Sequence, residues 1–130
     1  MKTMIYSLLF LLPACPAMAA DPPGCFDAHT GIFEVAAHRE LVTVKRTDIE
    51  QIDYIGEQFM RYILKWTDDC TCTLRLVETD IESAKPLVGA TFIMVITSVK
   101  GDRFRISTTH PDETVTEAVM RKYKNAAKAK

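Results

Sequence analysis

Apolar residues recur along the chain with two different periods. From Thr47 to Trp66 the positions Ile52, Ile55, Phe59, Ile63 and Trp66 step by three and four, the spacing of one buried helix face. Thr47-Asp48-Ile49-Glu50 reads as a capping box ahead of that stripe. Glu57 and Arg61, off that stripe, form an i,i+4 pair on the same expected helix, and Thr67-Asp68-Asp69 ends it. A second helix is expected from Pro111-Asp112-Glu113, where proline suits the first turn. Its buried stripe would be Val115, Ala118, Val119, Tyr123 and Ala126.

Between these segments the period drops to two. In Cys70 to Thr79, Cys70, Cys72, Leu74 and Leu76 share one face. Ala90 to Val99 is apolar on both faces, which marks a strand covered on both sides. After Lys100-Gly101-Asp102, Arg103 to Thr109 alternates again with Phe104 and Ile106 inward, so the two runs read as a hairpin. Asp80 to Gly89 connects, and Asp21 to Gly31 is an irregular arm. Residues 32–46 mix both signals and are read as a short helix followed by an extended piece. The expected architecture is α+β: a small antiparallel sheet of three or four strands packed against two helices.

The first twenty residues change the picture of where this domain folds. Lys2 precedes the apolar run Met4 to Leu12, proline breaks it at 13 and 16, and Ala17-Met18-Ala19 is an A-x-A cleavage signal. Residues 1–20 are therefore read as a signal peptide and 21–130 as one domain, periplasmic or secreted. Leu12-Pro13-Ala14-Cys15 also resembles a lipoprotein box, in which Cys15 would carry a lipid anchor. No other stretch is long and apolar enough to span a bilayer as a helix.

Export makes cysteine pairing the next question. Cys25, Cys70 and Cys72 remain after cleavage. Cys70 and Cys72 sit two apart on one strand face, roughly 6–7 Å between Cα atoms, a poor distance for bridging each other. A bridge from Cys25 to either of them is expected, leaving one thiol over.

Composition narrows the function. The 130 residues carry 16 Lys+Arg and 17 Asp+Glu, with 48 % hydrophobic residues. That balance fits a globular chain and argues against a nucleic-acid partner. Cys70-Thr71-Cys72 has no histidine at ligand-like spacing among His29, His38 and His110, so no metal is expected. No G-x-S-x-G elbow or Gly-rich phosphate loop occurs, and the acid pairs Asp68/Asp69, Glu78/Asp80 and Asp112/Glu113 suit turns and element ends. No catalytic residue and no cofactor is expected.

Two binding surfaces can be named. Tyr54 and Tyr62 flank the helix stripe, and Arg75, Arg103 and Arg105 form a cationic patch if their strands pair. The favoured role is an exported, non-catalytic protein-binding or inhibitor protein, such as a toxin-immunity protein, with a partner in the cell envelope; a homodimer would also cover the doubly apolar strand. The alternative is a small-ligand carrier with a pocket between sheet and helix lined by Trp66, Phe92, Met94 and Phe104. A small enzyme ranks last, for want of a catalytic constellation.

Overall fold

The computed structural model describes residues 24–37 and 40–123. The expected signal peptide with Cys15, as well as His38 and Ala126, lies outside the described residues.

The expected α+β arrangement is corrected: the chain forms a closed antiparallel barrel of eight strands, each paired with its sequence neighbour, and the last closes on the first. In order these are β1 (Gly31–Ala37), β2 (Glu40–Arg46), β3 (Glu50–Ile55), β4 (Gln58–Asp68), β5 (Thr71–Thr79), β6 (Thr91–Lys100), β7 (Arg103–Thr109) and β8 (Val115–Lys122). Two short 3₁₀ segments, Cys25–Ala28 and Glu82–Leu87, complete the described chain. The strands expected at 70–79, 90–99 and 103–109 are β5, β6 and β7.

The expected helix over 47–66 is instead the β3–β4 hairpin. Ile55 pairs with Gln58 around the two-residue loop Gly56-Glu57, and Gly56 takes φ 63, a conformation open to glycine. The presumed capping box is the β2–β3 turn: Thr47 N donates to Glu50 O at 2.9 Å. The Glu50 carboxylate faces Arg61 at 3.5 Å. The expected last helix is likewise β8. Before it, Asp112 Oδ1 accepts from Thr114 N at 3.0 Å and from Thr114 Oγ1 at 2.6 Å. This side-chain turn reverses the chain where a helix start was read. Within 32–46 the described residues belong to β1 and β2, with no helical part among them.

Inward positions carry the core. Phe33, Val44, Leu64, Leu74, Phe104 and Met120 are all buried. Outward positions include Lys45, Lys65, Arg75, Arg103 and Arg105, all exposed. The outer face is mixed, with Ile63, Ile93 and Val119 exposed among these charges. No described helix is long and apolar enough to cross a membrane. Register shifts in β4–β5 and β6–β7 mark bulges, which help curve a sheet into closure.

One end of the barrel is plugged. The 3₁₀ turn Cys25–Ala28 lies across it with Cys25 and Ala28 buried. Three ties hold the plug. Cys25 is disulfide-bonded to Cys70. Lys122 Nζ donates to Asp27 O at 2.7 Å. Arg46 Nη1 donates to Ala28 O at 2.6 Å. Gly24 packs so closely that an added Cβ would meet Val99 Cγ1 at 2.7 Å.

Candidate functional site

With one end plugged, the space inside the barrel opens only away from the plug. Eight strands leave an interior just wide enough to be filled by side chains or to hold one small ligand. Here the inward side chains leave a cavity of about 570 Å³, within the size range of small-molecule sites.

Its walls come from all eight strands. Val35, Val42, Val44, Leu74, Phe92, Met94, Ile106 and Ala118 supply the apolar surface. Four polar side chains interrupt it on adjacent strands: Arg46, Gln51, Asp53 and Tyr62. Register brings them together, because Arg46 pairs with Gln51 across β2–β3 and Gln51 with Tyr62 across β3–β4. Asp53 stands two residues along from Gln51 and so shares its face.

Arg46 is buried and held on all sides. Its Nε and Nη2 donate to Gln51 Oε1 at 2.9 and 2.6 Å, and Nη1 to Ala28 O. Nη2 also lies 3.7 and 3.8 Å from the sulfurs of Met94 and Met120. The guanidinium sits over the rings of Phe33 and Trp66, at 5.2 and 5.7 Å from their centroids, a cation–π arrangement. Burial lowers its pKa from the ordinary arginine value, but an arginine stays charged.

Asp53 is different. It accepts one hydrogen bond, from Gln51 Nε2 at 2.8 Å. Among the described residues no cation lies within 4.0 Å of it. The surface it retains faces the cavity. Removal from bulk water pushes its carboxyl up to about 6, against the opposing pull of the Gln51 hydrogen bond and the Arg46 charge. Beside it, burial first and the Asp53 charge second push the Tyr62 phenol well above its usual range. The Tyr62 hydroxyl reaches only a sulfur acceptor, Met60 Sδ at 3.7 Å. Its ring stands edge-on to Phe92, centroids 5.8 Å apart, and Phe92 stands against His110 at 5.4 Å.

The mouth is formed by Ala36, Thr108, His110, Thr116 and Glu117. His110 Nε2 lies 3.0 Å from Thr116 Oγ1. The β1–β8 seam pairs at only three positions, Phe33–Lys122, Glu34–Arg121 and Val35–Met120. Beyond Val35 the two strands part toward the mouth. Glu117, an exposed residue paired with Ser107, also lines the opening. At the paired part, Arg121 Nη2 and Tyr123 Oη both donate to the Glu34 carboxylate at 2.8 Å.

The site residues named from sequence are distributed as follows. Phe92 and Met94 line the cavity, but Trp66 and Phe104 belong to the plugged end. The expected pocket between sheet and helix is corrected to the barrel interior. Trp66 stacks on His29 at 3.7 Å, and its indole Nε1 is buried without a partner. Tyr62 faces inward and is buried, whereas Tyr54 faces out beneath Lys45. The expected cationic patch is split. Arg75 pairs with Thr91 and Arg105 with Ser98, seven residues apart along β6, or about 23 Å at strand rise. Arg103 does neighbour Lys100 and Arg121 on the outer face. Cys72 is a free, buried thiol pushed up to about 11 by burial, which makes it unreactive. Among the described residues, no three His, Cys, Asp or Glu side chains gather to hold a metal ion.

The sequence reading missed Arg46, Gln51 and Asp53. The available signal was Gln51 and Asp53 alternating with Ile52 and Tyr54, a strand whose polar face turns inward. No protein-family model matches the chain, and no curated protein or solved structure gives a match. Function is read from the site itself.

Proposed function

We propose that this chain is a non-catalytic small-ligand-binding protein, with the ligand held inside the barrel. The observation that carries this reading is the cavity of about 570 Å³, plugged at one end and open at the other, with an apolar wall broken by one polar cluster. Burial of an apolar ligand surface would supply the affinity, and the cluster would fix its orientation. The Cys25–Cys70 bridge supports maturation in an oxidising compartment, and so an exported carrier.

Native mass spectrometry of the protein purified from its own host tests the proposal. A small-molecule adduct should appear and should be lost in Ala118→Phe, which fills the cavity from β8. An adduct that survives this substitution contradicts the reading.

A protein-binding or inhibitor role, including toxin immunity, is the second reading. Its support is the part of β8 left unpaired on the β1 side, with Val115 and Val119 exposed. Such an edge can accept a strand from a partner.

A further inference from the structure

The four polar residues of the inner cluster are not equivalent toward a ligand. Arg46 would be the obvious partner for an anionic head group, but its donors are already engaged. Two converge on Gln51 Oε1 and one reaches Ala28 O. Two methionine sulfurs and two aromatic rings enclose the rest of the guanidinium. Binding an anion there would require breaking the contact that ties β2 to the plug. Gln51 is largely committed: its oxygen serves Arg46 and one N–H of its amide nitrogen serves Asp53.

Asp53 is the group with capacity left. A carboxylate offers about four lone-pair sites, and Asp53 uses one. It stands beside the Tyr62 hydroxyl, whose partner is a weak thioether acceptor. The Tyr62 ring lies at this corner and stands edge-to-face with Phe92, which lines the same cavity. An under-partnered carboxylate flanked by aromatic rings is the chemistry that receives an ammonium group, through charge-assisted hydrogen bonds and cation–π attraction. The remaining wall, from Val44, Leu74, Met94 and Ile106, accepts only apolar surface.

We propose that the cavity selects small apolar amines, with Asp53 receiving the ammonium group, Tyr62 and Phe92 flanking it, and the apolar wall enclosing the rest of the molecule. This rests on the reading of the barrel as a ligand carrier and adds the class of ligand. Arg46 then acts as a fixed strut, its guanidinium tied to Gln51 and to the plug.

Titration calorimetry of the full-length processed protein with three probes of one shape tests this: tryptamine, the neutral alcohol tryptophol, and indole-3-propionate. Tryptamine should bind about tenfold or more tighter than tryptophol, with the carboxylate weakest, the order expected of a charge-assisted contact. Asp53→Asn should reduce tryptamine to the level of tryptophol and leave tryptophol unchanged, while Glu117→Gln at the mouth should keep the preference. The proposal is overturned if indole-3-propionate binds as tightly as tryptamine, or if the preference follows Glu117. Tryptophol separates the two readings: its binding upholds the cavity even where the amine preference fails, and absence of binding by all three probes sinks both. Should Asp53→Asn not fold, the order of the three probes on the unaltered protein decides alone.

Discussion

Arg46 and Gln51 face one another across the β2–β3 hairpin, and the guanidinium closes on a single amide oxygen through two N–H groups, at 2.9 and 2.6 Å. Both residues are buried, at 3 % and 5 % exposure. The pair converts a buried charge, otherwise costly, into a strut between barrel wall and plug.

Removing the acceptor should therefore be severe. Gln51→Leu leaves the guanidinium without its main partner, and the expected loss is about 3 kcal/mol. Pairing it with Arg46→Met should recover a good part, because an apolar pair leaves no unpaired charge. Urea unfolding of the two single variants and the double variant measures this coupling. Additive losses would show that the pair is not a unit.

Asp53 gives a stability that falls as pH rises. Its folded-state pKa, about 6, lies above the ordinary value of 3.8. The native protein therefore holds a proton that the unfolded chain releases, and stability should decline from near pH 4 to just above pH 6, then level off. The expected size is roughly 2 kcal/mol, reduced from the bare shift because solvent reaches the carboxylate through the mouth. Asp53→Asn should remove this part of the profile and melt higher than the unaltered protein at pH 7.5. Parallel melts of the two proteins between pH 4 and 8 isolate the effect of this one group. The residue proposed to hold the ligand thus costs the fold stability.

The plug should depend on its covalent tie. Cys25 and Cys70 are 45 residues apart in sequence, and losing the bridge is expected to cost about 4 kcal/mol in the chain-entropy account. A Cys25→Ser/Cys70→Ser variant and the reduced unaltered protein should melt at the same temperature, well below the oxidised form. Cys72→Ala, at a buried free thiol, should change the melt far less.

The short β1–β8 seam is fastened by Glu34. Hydrogen bonds from Tyr123 and then Arg121 hold its carboxyl below the usual range. That contribution is present above the unfolded-state pKa and is lost as pH falls through the lower folded-state value. Arg121→Ala should loosen the seam and lower the melting temperature only slightly, as expected of a solvent-screened pair. Exchange of the Tyr123 amide, which donates to Ile32 O at 2.9 Å, should quicken more than that of amides in β4 and β5.

The central strands were legible in the sequence, and the reason is physical. In β5 and β7 the apolar residues Cys72, Leu74, Leu76, Phe104 and Ile106 face in, and Arg75, Arg103 and Arg105 face out, so alternation and burial agree. In β3 they disagree. The inward Gln51 and Asp53 are polar because they build the site, and the outward Ile52 and Tyr54 are apolar. Read together with Phe59, Ile63 and Trp66 from the next strand, these residues mimic a three-four period, and Gly56 is the only strong mark of the turn between them. Thr47 and Asp112 added to the error, since turn and helix-cap chemistry use the same side chains. The elements that misled are those that form the polar wall and the mouth. Local pattern reports burial, and a cavity is where inward-facing positions need not be apolar.

The most direct measurement is a backbone and side-chain NMR titration of the protein with neutral tryptophol. If the barrel interior is the binding site, shifts will concentrate at Val44, Leu74, Phe92, Ile106 and Ala118, and the outward Lys45, Arg75 and Arg105 will stay still. Shifts confined to the outer faces, with the inward methyl groups unmoved, would contradict the account.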